Sequence, residues 1–126
     1  MKTITTSSAP AAIGPYSQGI VSGNLLFTAG QIPLDPKEML IVGTTIEEQT
    51  LQVLRNLDAV LEAAETTWNR VVKTTVYLTD LSEFAAMNRI YEQHLNGTKP
   101  ARSTVQVAAL PRGAKIEIEL VAEVRE

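Results

Sequence analysis

Two segments of this chain place apolar residues at helical spacing, and strand-like stretches flank both. The first stripe runs Ile46, Val53, Leu54, Leu57, Val60, Leu61 and Ala64, with Arg55, Asp58 and Glu62 mostly on the other side. The second joins Phe84, Met87, Ile90, Tyr91 and Leu95. Between them Val71 to Leu78, in the order Val-Val-Lys-Thr-Thr-Val-Tyr-Leu, is rich in β-branched residues and reads as a strand. An amphipathic helix cannot bury its stripe alone. Two such helices alternating with strands predict a mixed sheet with both helices packed on one face.

The remaining segments complete that plan. Ile4 to Thr6 reads as a short edge strand, and Ala9 to Pro15 as a loop. Tyr16–Val21 and Leu25–Ala29 form a hairpin around Ser22-Gly23-Asn24. Pro33 and Pro36 exclude a central strand after Gly30. Thr44 or Thr45 caps the first helix, with Glu47 and Glu48 in its first turn. Ser82 is the expected N-cap of the second helix, with Glu83 behind it. The last strands are Val105–Ala109 and Lys115–Val124, with a tight Pro111-Arg112-Gly113 turn between them. The order is β-β-β-α-β-α-β-β, an α+β arrangement within the broader α/β class.

Strand alternation separates two faces. Ile116, Ile118, Leu120 and Ala122 point one way; Glu117, Glu119, Val121 and Glu123 point the other. Lys73, Thr75, Tyr77 and Thr79 likewise alternate with Val72, Thr74, Val76 and Leu78. A sheet face of mixed polar and apolar character, uncovered by helices, suits a subunit interface.

Composition bounds the function. The 126 residues predict one domain, 1–126, and 44% hydrophobic content supplies a core. A net charge of -3 and scattered basic residues argue against a nucleic-acid binder. With no cysteine and one histidine, thiolate chemistry and a His-rich metal site are excluded. No apolar run approaches a membrane span, and the N-terminus lacks a signal-peptide pattern. The expected setting is cytoplasmic.

Chemistry concentrates late in the chain. Arg102 precedes a short apolar stretch, and Glu117 and Glu119 share one face of the following strand. A guanidinium is a planar fork of donors suited to gripping a carboxylate, and a nearby glutamate can position water or carry a proton. A purely structural ion pair between Arg102 and Glu117 or Glu119, or between Lys115 and Glu117, uses the same residues. Residue types alone leave both readings open.

The chain resembles the RidA family, also called YjgF/YER057c/UK114, and within it the imine-deaminase branch. The matching segments are Ala9-Pro10-Ala11-Ala12-Ile13-Gly14-Pro15-Tyr16-Ser17-Gln18-Gly19, Gly30-Gln31-Ile32-Pro33, and Gln49 with Asn56-Leu57. Val71 to Leu78, the Phe84, Asn88, Tyr91 series, Pro100-Ala101-Arg102-Ser103 and Ile116-Glu117-Ile118-Glu119 continue it in order along nearly the whole chain. Each piece is weak alone, and together they are specific.

The resemblance implies a single RidA-like domain of chorismate-mutase-like fold, assembled as a homotrimer with sites between subunits. It implies hydrolysis of 2-aminoacrylate, 2-iminobutanoate and similar enamines or imines to 2-keto acids and ammonia, with no cofactor and no metal. Its partners are then small 2-imino or enamine acids and further copies of itself, with no nucleic acid and no membrane. Arg102 would clamp the substrate carboxylate, and Glu117 would hold the attacking water or shuttle its proton. Tyr16 would close the pocket from an adjacent subunit, Gly30 would let the backbone approach the ligand, and Asn88 would support the site.

Two departures from the family pattern bear on the site. Thr104 stands where many deaminase-branch members have cysteine, and its backbone is expected to contact the ligand. Ala29 stands where a serine is common. Glu65 also replaces a glycine that often ends the first helix. The alternative function is a trimeric metabolite-binding or regulatory protein without turnover. A ribonuclease reading, attached to some relatives, is disfavoured by the acidic balance.

Overall fold

The computed structural model describes residues 1–125. Strands β1 (Lys2–Ile4), β2 (Gly19–Ser22) and β3 (Leu25–Thr28) precede helix α1 (Ile46–Ala63). Then come β4 (Val71–Leu78), α2 (Phe84–Leu95), β5 (Ala101–Gln106) and β6 (Ile116–Glu123). They form one six-stranded sheet in the order β1-β2-β3-β6-β4-β5. β4 and β5 are parallel, and the other neighbours are antiparallel. Because β3 and β4 both run against β6, they are parallel to each other. Helix α1 therefore closes a βαβ crossover with β6 inserted between its two strands.

The helices and one sheet face share a single core. Leu54 and Leu57 of α1, Met87 of α2, Leu78 of β4 and Ile116 and Ile118 of β6 are all 0% exposed. Burying each such side chain stabilises by about 1.5–3 kcal/mol before the entropy of ordering is counted. Thr45 caps α1 through a reciprocal box: its Oγ1 accepts the Glu48 N–H at 3.2 Å, and Glu48 Oε1 accepts the Thr45 N–H at 3.2 Å. The backbone N–H groups of Thr44 and Thr45 hold the Glu48 carboxyl below its ordinary pKa. Glu65 follows α1 at φ 59°, the left-handed position where glycine is the usual choice.

Several boundaries differ from expectation, each for a local reason. β1 lies at Lys2–Ile4, not Ile4–Thr6, because its partners in β2 are Gly19 to Val21. Tyr16 to Gln18 are loop, so β2 starts at Gly19. Ser82 does not cap α2. The Asp80 carboxylate accepts the Ser82 N–H at 2.9 Å, and a 3₁₀ turn over Leu81–Glu83 leads into the helix at Phe84. β5 covers Ala101–Gln106 instead of Val105–Ala109, since parallel pairing from Lys73↔Ala101 to Leu78↔Gln106 sets its extent. A bulge between Val71 and Lys73 turns Val71 inward and leaves Val72 42% exposed, against simple alternation. Phe84 is not core: it is 38% exposed at the outer end of α2.

The proline-bearing loops are held by buried amide side chains. Asn56, 1% exposed on α1, donates from Nδ2 to the carbonyls of Ile32 at 3.2 Å and Leu34 at 3.0 Å. Gln49 donates to the Gly43 carbonyl at 3.1 Å and accepts the Lys115 N–H at 2.8 Å, where β6 begins. Gln18 donates to the Pro10 carbonyl at 2.7 Å and accepts the Thr6 N–H at 2.7 Å. These carbonyls lie outside the sheet ladders and need donors from elsewhere. Among the described residues no helix is long and apolar enough to cross a membrane.

Asn56→Ala strips donors from two carbonyls beneath the 30–43 loop. We expect a loss of roughly 1–3 kcal/mol, read as a lower urea midpoint at unchanged slope. An unchanged midpoint would mean that Asn56 does not hold the loop.

Candidate active site

The expected site residues gather in two places. Tyr16, Ala29, Gly30 and Glu117 line a cavity of about 530 Å³, together with apolar side chains including Ile32 and Met39. Arg102 and Asn88 line another of about 340 Å³ with Tyr91 and Lys99.

Glu117 is placed by the period of β6. Ile116 and Ile118 face the helices, so Glu117 points away from them. Beyond β3, Gln31 pairs with β6: its N–H donates to the Ile118 carbonyl at 2.8 Å and its carbonyl accepts the Ile118 N–H at 3.1 Å. This brings Gly30 against Glu117. A Cβ built on Gly30 would lie 2.6 Å from Glu117 Cδ, well inside contact distance. The group that approaches the Gly30 backbone in this chain is therefore the Glu117 carboxyl. Burial, with Glu119 adding to it, pushes that carboxyl above its ordinary pKa. Tyr77 donates its hydroxyl to Glu119 at 3.2 Å, and burial and then the Glu119 charge raise the phenol's pKa.

Tyr16 is 54% exposed, and its hydroxyl accepts the Ile13 N–H at 3.3 Å. The Ala29 N–H donates to the Gln18 carbonyl at 3.0 Å, which ties this wall of the cavity to the pinned N-terminal loop.

Arg102 lies on the other side of the sheet. It is in register with Thr74, which is buried beneath α2 with its hydroxyl 2.7 Å from that of Tyr91. The guanidinium carbon sits 4.8 Å from the Tyr91 ring centroid and 5.4 Å from that of Phe84. Arg102 Nη1 donates to Asn88 Oδ1 at 2.7 Å. Phe84, Asn88 and Tyr91 are spaced i, i+4, i+7, so they form one row on α2 along which the guanidinium rests. Thr104, in register with Val76, shares this side of β5 and is half-buried.

Glu117, by contrast, is in register with Tyr77 on the helix-free face. Within one copy of the chain, Arg102 and Glu117 therefore point to opposite faces and form no ion pair. Lys115 does not pair with Glu117 either; its Nζ lies 3.9 Å from Glu83. Among the described residues, no carboxylate lies within ion-pair distance of Arg102 and no cation within that distance of Glu117. Tyr91 is core as its helical spacing predicts, and Phe84 is not; apolar spacing does not show that both also form the platform of Arg102. The signal was their common row with Asn88. His94 bonds through Nε2 to Asp58 at 2.8 Å, and Trp68 Nε1 donates to the same carboxylate at 2.6 Å. That cluster ties α1 to α2 and touches neither cavity.

Comparison with known proteins adds context to this geometry. The profile described as "Endoribonuclease L-PSP" matches residues 6–124. A RutC family protein of Pyrococcus horikoshii is 52% identical over 121 residues, covering 96% of each chain. The mouse protein named 2-iminobutanoate/2-iminopropanoate deaminase is 46% identical over 121 residues, covering 96% of this chain and 90% of the mouse one. The crystal structure of Escherichia coli TdcF with bound serine superposes with a TM-score of 0.93 at 43% identity, covering 100% of both chains.

The Glu117 environment has a consequence for stability. Its folded pKa is raised, so the ionised carboxylate costs stability above that value. The cost fades as pH falls through it and is gone below the unfolded value. Glu117→Gln should therefore raise Tm above this window and leave it unaltered below. Scanning calorimetry across pH tests this, and a lower Tm at every pH would contradict it.

Proposed function

The chain belongs to the endoribonuclease L-PSP family, the RidA/YjgF group, and from that premise we propose that it hydrolyses reactive 2-imino and 2-enamino acids to 2-keto acids and ammonia. The observation that carries this reading is the Glu117 carboxyl, raised in pKa and seated against Gly30 in a partly apolar cavity. Such a carboxyl can accept a proton from water and return it to a departing amine. The name of the mouse relative supports the substrate class, and the serine held by the Escherichia coli relative is of similar size and charge. The substrates are 2-aminoacrylate, 2-iminobutanoate and their kin, and the setting is the cytoplasm.

The reaction then needs two grips. Arg102, rigid on its aromatic platform, holds the carboxylate and fixes the imine carbon. Water adds to the carbon of the protonated imine as Glu117 takes one of its protons, giving a neutral carbinolamine. Glu117 returns that proton to the nitrogen, the C–N bond breaks, and the hydroxyl proton leaves with the ammonia as ammonium, giving the keto acid. No metal or organic cofactor enters this scheme. Since the two grips face opposite sides of one chain, the active unit in this proposal is a homotrimer. The Arg102 edge of one copy meets the cavity of Tyr16, Gly30 and Glu117 on the next. Ala29 lines the Glu117 cavity and Thr104 shares the Arg102 side of β5, and both would tune rate and range. A net charge of -3 without a basic cluster disfavours RNA as substrate.

A dehydratase that releases the imine in place, with keto-acid formation followed, tests the proposal. The protein should accelerate keto-acid formation, and Arg102→Ala should lower kcat/KM on the order of 100-fold or more, about 3 kcal/mol. Glu117→Gln should lower kcat by about 10²–10⁴-fold. Circular dichroism guards against unfolding, and light scattering should return the mass of three chains. No acceleration from a folded trimer would favour the reading as a binding protein without turnover. A monomeric mass with full activity would refute the shared site.

A further inference from the structure

The cavity that holds Glu117 contains a second charged side chain, and it is a cation. Arg112 lines the same space as Tyr16, Gly30 and Glu117. It is the middle residue of the Pro111–Gly113 turn, at φ 58° and ψ 22°, a left-handed conformation that side chains with a Cβ disfavour. Its Nη1 donates to the Met39 carbonyl at 2.7 Å. Met39 also has φ 58° and also lines the cavity. That bond occupies one of five guanidinium N–H donors. Among the described residues no carboxylate lies within ion-pair distance of Arg112.

The surroundings narrow what the free donors can meet. Ile32, Leu34, Met39 and Pro111 make much of the wall apolar, and Glu117 repels any anion seated beside it. An arginine tethered at one nitrogen, without a counter-charge, on the wall of such a cavity suits a second anionic group on the ligand. Strained backbone retained at a cavity wall is also where function is expected to sit.

We propose that Arg112 is a substrate-selecting residue that binds the side-chain carboxylate of dicarboxylic 2-imino acids. The inference rests on the deaminase reading: Arg102 takes the carboxylate common to all substrates, and Arg112 takes one that only some possess. The Met39 tether holds the guanidinium, and the apolar wall accommodates the methylene carbons between the two ends.

The test is calorimetric titration of the assembled protein with 2-oxoglutarate and with 2-oxobutanoate, keto acids that differ in the second carboxylate. The readout is the ratio of the two Kd values. The unaltered protein should favour 2-oxoglutarate. Arg112→Met and Arg112→Gln should each shift the ratio about 10-fold toward 2-oxobutanoate, the size of a charge-assisted contact. The glutamine variant keeps an amide donor for the Met39 carbonyl while removing the charge. A ratio unchanged in both variants overturns the role of Arg112 while leaving the deaminase reading intact. A ratio that moves in the methionine variant alone also overturns it, because the tether and not the charge is then responsible. If the unaltered protein binds neither keto acid yet hydrolyses imines, the second-carboxylate contact falls. If it does neither, the deaminase reading falls with it.

Discussion

Strand β6 is hydrogen-bonded on one edge to β3 and on the other to β4, and its apolar side chains lie beneath the helices. A slip of one residue would drive Glu117 and Glu119 into the core and put Ile116 and Ile118 in water. Unpaired carboxylates in that core would be far costlier than any gain from a new register. The position of β6 is therefore settled by the same hydrophobic burial that holds the fold together. The candidate site depends on it. Glu117 must face away from the helices, Gln31 pairs with Ile118 beside it, and a Cβ at position 30 would displace the Glu117 carboxyl.

The same constraint divides the chemistry. Side chains that alternate along paired strands cannot meet through the sheet, so the Arg102 side and the Glu117 side remain separate within one chain. One has a cation fixed between two aromatic rings and an amide; the other has a carboxyl of raised pKa in a partly apolar cavity. A reaction that needs both a carboxylate grip and a proton acceptor explains this division if copies of the chain complete one another. Groups on opposite faces of one sheet meet only across two copies, which is the shared site we propose.

Buried amides connect fold to site. Gln49 and Asn56 occupy α1 among its apolar residues, and each reaches the irregular segments that close the Glu117 cavity. A proline-bearing loop leaves carbonyls without ladder partners, so the helix supplies the missing donors. These residues stood out in the sequence only as parts of a family pattern. For three of these four bonds the partner is 22 or more positions away, and apolar periodicity contains no information about it.

Periodicity alone determined the order of elements, the two helical stripes, the span of β4 and the outward direction of Glu117, because burial acts on every second or every third to fourth residue. The Gly23-Asn24 hairpin and the Thr45 cap were legible for a similar reason: their chemistry is local. Tertiary structure alone decided the rest. It set the extent of β5 through pairing with β4, turned Val71 inward at a bulge, left Phe84 outside the core, and made Phe84 and the buried Tyr91 the platform beneath Arg102. It also separated Arg102 from Glu117 and brought Arg112 into the cavity with Glu117. All of these depend on which strands become neighbours and which loops fold back over them. That is set by long-range packing, to which a local pattern of residue types is blind.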